Sequence, residues 1–401
     1  VAAASPSQPD RRRVYLDHHA TTPLDERVLE AMLPYLREEF GNAASRTHAF
    51  GWRAEAAVED ARERLAGMLG AADPNEIVFT SGATESNNLA ILGLAEGSLS
   101  RRHLITLETE HPAVLDPCRA LVRRGFELSE LPVEPNGRVS LERLEAALRE
   151  DTLLVSVMAA NNEIGVLQPL SEIAALCRER GVVLHTDAAQ AVGKIDLQAE
   201  RDGLDLVSVS GHKIYGPKGV GLLRLRRSGR PRLRIEPRQY GGGHEGGLRS
   251  GTLPVALIVG MARALELCLE EREAEARRLS ALRDALYQRL IDALPDRVLL
   301  NGDLEQRLPG NLNVSFEGVD GSVLLADLAG IAVSSGSACS SARPEPSHVL
   351  LALGRSRRLA GASIRFGLGR STTPDEIEWA AEQVVAAVRR QGAGRRSASE
   401  A

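Results

Sequence analysis

Between residues 103 and 210 the chain repeats one pattern: a short apolar run, a stretch with helical spacing, then another apolar run. The runs are HLITLE (103–108), LLVSVMAA (153–160), VVLHTD (182–187) and LDLVSVS (204–210), and PLSEIAALCRERG (169–181) carries the helical spacing with a glycine stop. Apolar runs of about four to eight residues that do not alternate suit strands covered on both faces, and such strands linked through helices build a parallel sheet. The expected class is α/β, with a large domain around a mostly parallel sheet. Residues 251–294 then form a long, charged helical pattern, taken as helices that bridge into a smaller α+β domain. The expected division is a disordered leader at 1–13, a first segment of the small domain at 14–24, the large domain at 25–272, the small domain at 273–392 and a disordered tail at 393–401.

The bulk numbers exclude several classes. A net charge of −5 lacks the basic excess of a nucleic-acid binder. No apolar run approaches the roughly 20 residues that cross a bilayer. The opening VAAASPSQPDRRR has no apolar core of a secretory signal, so the cytoplasm is the expected compartment. The 4 cysteines, Cys118, Cys177, Cys268 and Cys339, form no CxxC pair, so neither a disulfide framework nor a metal site is expected. Three of them lie in helical stretches. Cys339 lies in AVSSGSACSSARPEPSHVL, a run of small and turn-forming residues unlike a packed core.

In an open α/β sheet, ligands gather where strand C-termini feed into loops, so polar residues just after the apolar runs carry the signal. In FTSGATESNNLA (79–90), hydroxyls and a glycine open a helix, either as an anion cradle or as a plain N-cap by Ser81 or Thr84. Asp187, in HTDAAQ, ends an apolar strand, where a carboxylate needs a partner: a cationic ring nitrogen of a cofactor, or the backbone of a following helix. Asn162, in AANNEIG, can hold an oxygen on an aromatic ring or close a turn. Lys213, in SVSGHKIYGPKGVG, follows the last run directly. The chain has only Lys194, Lys213 and Lys218 as lysines and uses arginine elsewhere; arginine cannot form an imine, which is a physical reason for lysine at this place. A cradle, an aspartate and an imine-forming lysine are the parts a pyridoxal phosphate site requires.

The segments YLDHHATTP, FGNAASRTH, SGATESNN, TEH, NNEIGV, HTDAAQAVGK, SGHKIYGPKGVG, GGGHEGGLRSGTLPV, SSGSACSS and SIRFGLGR resemble, in this order, the motifs of the NifS-like cysteine desulfurases. These are class V, fold-type I pyridoxal phosphate enzymes, and the SSGSAC form resembles the group with the long loop. The resemblance covers roughly residues 14–390. It implies that Lys213 forms the Schiff base with the cofactor, Asp187 pairs with the pyridine nitrogen and His111 stacks on the ring. It further implies that Asn162 and Gln190 meet the ring oxygen, that Ala83, Thr84, Ser210 and His212 hold the phosphate, and that Thr252 comes from the other subunit of a homodimer. Arg365 would clamp the substrate carboxylate, helped by Asn42; as a plain surface ion pair it would do little. The implied reaction turns L-cysteine into L-alanine and leaves a persulfide on Cys339, from which a sulfur-acceptor protein is supplied for iron–sulfur cluster assembly or thio-modification. The competing readings are a selenocysteine lyase, a class V aminotransferase, and a catalytically silent subunit that binds a scaffold protein.

Overall fold

The computed structural model describes residues 13–229, 231–335 and 346–399. Its centre is a seven-stranded sheet whose order across the sheet is Ile77–Thr80, Gly221–Leu225, Leu206–Ser210, Val183–Asp187, Thr152–Ser156, His103–Leu107 and Glu127–Leu131. The five strands from 206–210 to 127–131 pair in parallel, and only Gly221–Leu225 runs against its neighbours. The central strands are buried at every residue, which explains their unbroken apolar runs. The expected α/β sheet is thus found, mostly parallel as the pattern implied.

The strand expected over 153–160 ends at Ser156. Ser156 is the last residue there that pairs with the strand His103–Leu107, which then turns away. Beyond it the chain keeps only its other neighbour, through Val157 N to His185 O and Ala159 N to Asp187 O, both 3.0 Å. Here the order of the sheet reverses, because His103–Leu107 lies between the strand that follows it and the one after that. The crevice that such a reversal opens is where ligands bind in open α/β sheets.

The bridging stretch is one helix, Val255–Ala293, not several. After Gly260 it contains neither glycine nor proline, and alanine, leucine, glutamate and arginine all favour helix. Its first half packs Ile258, Met261 and Leu265 into the core beside the large sheet. Its second half sends Leu279, Leu282, Leu286 and Leu290 into another core, shared with Val14, Leu16, Phe316 and Phe366. Residue 272 lies inside this helix, so no linker marks the passage between the cores. A three-stranded antiparallel sheet, Ser363–Gly367, Asn311–Phe316 and Val298–Leu300, supports the second core. The strand Val14–Tyr15 joins that side by pairing with Ile331–Ala332. The last helix, Pro374–Ser399, runs through 393–399, where a disordered tail is expected. Ala and Arg there favour helix, and the one glycine, Gly394, at about 1 kcal/mol, does not outweigh them. The rest of that tail and the leader up to residue 12 lie outside the described residues.

Candidate active site

A cleft of about 440 Å³ opens at the C-terminal ends of the parallel strands, lined by Ala83, Thr84, His111, Asn162, Asp187, Gln190, Ser210, His212, Lys213 and Arg365 among others. Ten of the residues singled out in the sequence therefore meet in one place. Asn42 and Thr252 do not line it; both are exposed, and Asn42 Oδ1 accepts from Ala44 N at 2.9 Å. Cys339 lies outside the described residues, within 336–345. The residues flanking that stretch are tied to the cleft: Ser334 Oγ donates to Asp17 at 3.2 Å, Ser347 Oγ donates to Glu163, and His348 Nε2 donates to Glu110 O at 3.0 Å.

The floor of the cleft follows from strand ends. Asp187 closes its strand 6% exposed, with Oδ2 accepting from Asn87 Nδ2 at 2.7 Å and Oδ1 from Ala189 N at 3.0 Å. It therefore caps the following turn, as the backbone reading proposed. Asn87 went unnoticed in the sequence, although an asparagine on the apolar face of the helix Ala83–Gly97 is itself a signal. Neither Ser81 nor Thr84 caps that helix. Its N-cap is Gly82, without any side-chain cap, so the first turn presents its N–H groups to the cleft mouth. Gly221 allows this close approach, since a Cβ there would sit 2.6 Å from Gly82 Cα.

Lys213 sits in a single turn of 3-10 helix after the strand Leu206–Ser210, where Nζ donates to Ala20 O at 2.8 Å and also to His19 O. His212 pairs through Nδ1 with Thr21 Oγ1 at 3.1 Å, and burial, then the nearby lysines, pushes its imidazole down to about 4. His111 caps the helix Pro112–Val122, with Nδ1 accepting from Ala113 N at 3.0 Å, so its proton is on Nε2. Burial lowers its basicity, and the ring lines the cleft. Behind it Glu110 is fully buried, accepts from Met158 N at 2.7 Å, and is held by burial well above the usual carboxylate range. Asn161, not Asn162, closes the turn of AANNEIG: its Oδ1 accepts from Glu163 N at 2.8 Å and Ile164 N at 3.0 Å. The Asn162 side chain makes no hydrogen bond among the described residues and faces the cleft.

Arg365 is not a surface ion pair. It is 4% exposed on the strand Ser363–Gly367. NH2 pairs with Asp17 at 2.7 Å and NH1 donates to Asn162 O at 2.8 Å. Its Nε is buried without a partner. A guanidinium fixed at two corners in the wall of a cleft suits a small carboxylate.

A histidine, a buried aspartate, a lysine and an uncapped helix start meet in this cleft at the strand ends. Residues 14–379 match the aminotransferase class-V family model, and the chain belongs to that family. It is 56% identical over 378 residues, 94% of this chain and 93% of the relative, to the cysteine desulfurase IscS of Anaeromyxobacter sp. strain Fw109-5. Among solved structures it is similar to a NifS-like protein, with TM-score 0.86, 40% identity and coverage of 93% of this chain and 98% of that one. It is also similar to SspA in complex with cysteine, with TM-score 0.78, 38% identity and coverage of 88% and 98%. Within the class-V family the chain is a member of the cysteine desulfurases, fold-type I enzymes that depend on pyridoxal phosphate.

The residues present fit that cofactor. A buried carboxylate at the floor of the cleft, Asp187, held in place by Asn87 Nδ2 and Ala189 N, matches a protonated ring nitrogen. The uncapped N-terminus of Ala83–Gly97 matches a phosphate, and the amine of Lys213 matches an aldehyde.

Proposed function

We propose that the chain converts L-cysteine to L-alanine and holds the abstracted sulfur as a persulfide on Cys339. The observation that carries this reading is Arg365, a buried guanidinium that lines the cleft shared by Lys213 and Asp187 and is held there by Asp17 and the Asn162 carbonyl. Pyridoxal phosphate, when bound, supplies an electron sink conjugated to the substrate amine, which loosens the Cα–H bond and opens the sulfur to attack. Asp187 keeps a negative charge opposite the ring nitrogen, and His111 and Ala189 bound the ring space. Ala83, Thr84, Ser210 and His212 cradle the phosphate, while Asn162 and Gln190 are placed toward the ring oxygen. With the cofactor bound, the amine of Lys213 would take the Cα proton and later return one to carbon. Arg365 orients the substrate by its carboxylate, so that the amine faces Lys213.

The sulfur step balances without an external oxidant or reductant. The Cys339 thiolate bonds to the substrate sulfur, the C–S bond breaks, and its electron pair stays on carbon until a proton arrives there. Cysteine and one thiol become alanine and one persulfide. The other cysteines are poor candidates for this attack, because burial pushes the thiols of Cys118 and Cys177 up to about 12 and that of Cys268 up to about 11.

The same proposal includes a homodimer, in which Thr252 completes the partner's phosphate cradle and Asn42 lies beside the substrate. Phe40, Phe50, Trp52 and Tyr240 are 70%, 48%, 55% and 78% exposed. Such aromatic exposure around the loops that bear Asn42 and Thr252 suits an interface. From there the sulfur passes to an acceptor protein for iron–sulfur cluster assembly or thio-modification, in the cytoplasm.

The test is steady-state formation of alanine from L-cysteine by the wild type and by Arg365→Lys. The wild type is expected to release alanine. The lysine keeps the charge but loses the forked geometry, so KM for L-cysteine should rise about 10- to 100-fold with a smaller change in kcat. An unchanged KM would remove Arg365 from substrate binding.

A further inference from the structure

Lys194 is absent from the reaction as derived so far, yet it is wired to Lys213. Its Nζ donates to Gln190 Oε1 at 3.0 Å, and the same oxygen accepts from His19 Nδ1 at 3.1 Å. Gln190 Nε2 donates to His19 O at 2.8 Å. That carbonyl is also one of the two backbone oxygens that hold Lys213 Nζ. The two amines are thus linked by an unbroken path, Lys194 to Gln190 to His19 to Lys213, through side chains that are 4% and 3% exposed. The acceptor oxygen fixes the proton of His19 on Nδ1, which leaves Nε2 a bare lone pair, buried and without a partner.

Both lysines also line a second cavity, of about 40 Å³, which shares His19 and Lys213 with the cleft. The other titratable groups around that cavity are His18, His19, Tyr215, Cys268, Arg272 and Glu275, and Arg365 acts on Lys194 from further off. Burial keeps His18 and His19 neutral, and raises Tyr215 and Cys268 so that they stay protonated. The cationic neighbours of Lys194 there are Lys213 and Arg272, against the single carboxylate of Glu275. Burial, with the like charge of Lys213 as the next contributor, pushes the Lys194 ammonium down to about 7.

We propose that Lys194 is a positioning residue for Lys213: through Gln190 and His19 it fixes the carbonyl that seats the Lys213 amine, and its own charge disfavours a second charge at that amine. This rests on the reading that Lys213 carries the cofactor. A lower tendency of Lys213 to hold a proton would favour its exchange with the substrate amine and its action as a base.

The experiment is a pH titration of the cofactor absorbance in the holoenzyme, which reads protonation of the imine at Lys213 without turnover. Lys194→Met is expected to raise the midpoint by about one pH unit, the size of a nearby like-charge effect, while Lys194→Arg stays within about 0.3 unit of the wild type. A midpoint unmoved in Lys194→Met, or moved as far in Lys194→Arg, overturns the proposal. Should Lys194→Met not fold, Lys194→Gln, which is also uncharged, is held to the same criterion. Lys213→Arg must show no titrating band; if it keeps one, the cofactor is attached elsewhere and the underlying reading fails, whatever the Lys194 variants do.

Discussion

Lys213→Arg is expected to leave a folded protein that forms alanine from L-cysteine about 10⁴-fold more slowly or not at all. The fold should tolerate it, because a guanidinium can still donate to the carbonyls of His19 and Ala20 that hold the lysine amine. The chemistry should not. Arginine forms no imine and stays protonated throughout the working range, so it can neither anchor the cofactor nor accept a proton from Cα. Sodium borohydride treatment followed by peptide mass measurement checks this directly: the wild type should carry the reduced cofactor on the Lys213 peptide, and the variant should not. Activity retained within tenfold of the wild type would show that another group is the base.

Asp187→Asn is expected to lower kcat by about 10²–10³-fold while KM for L-cysteine and the melting temperature change little. The asparagine is nearly the same shape, and it can still accept from Ala189 N, which is 3.0 Å from Oδ1 in the wild type. Asn87 can accommodate the new amide by turning over, because its own Oδ1 is buried without a partner. What disappears is the negative charge opposite the ring nitrogen, and with it the pull on electrons leaving Cα. A separate measurement of kcat and KM distinguishes this from a general loosening of the site, which would raise both KM and the rate of thermal unfolding.

The chain disclosed its sheet and the floor of its cleft because of how parallel sheets are buried. Strands covered on both faces have no reason to alternate, so VVLHTD and LDLVSVS stand out, and the polar residues that interrupt them at Asp187 and Lys213 are at the mouth by construction. Asn162 was legible in the same way, after the strand beside the reversal of the sheet, whereas His111 was reached only through the family resemblance. Partners distant in sequence were not. Asp17 and Arg365 meet across 348 positions, and Asn87 and Asp187 across 100. Nothing in local spacing announces such pairs, since they depend on the packing of the two cores. Lys194 was hidden for another reason: as a lysine four residues after Gln190, it looks like an ordinary helical neighbour until His19 is brought in from the other end of the chain. The continuity of Val255–Ala293 was also illegible, because a helix that buries one half in one core and its other half in another shows the two patterns of two shorter helices.

The account stands on sulfur moving from the substrate to one particular thiol. Incubation of the holoenzyme with L-cysteine, followed by alkylation and mass measurement of the Cys339 peptide, tests that movement itself. The prediction is a gain of one sulfur atom on that peptide, matched by an equal amount of alanine in a single turnover, and no such gain in Lys213→Arg. Alanine released with the Cys339 peptide unmodified, or with the sulfur found on Cys118, Cys177 or Cys268, would contradict it.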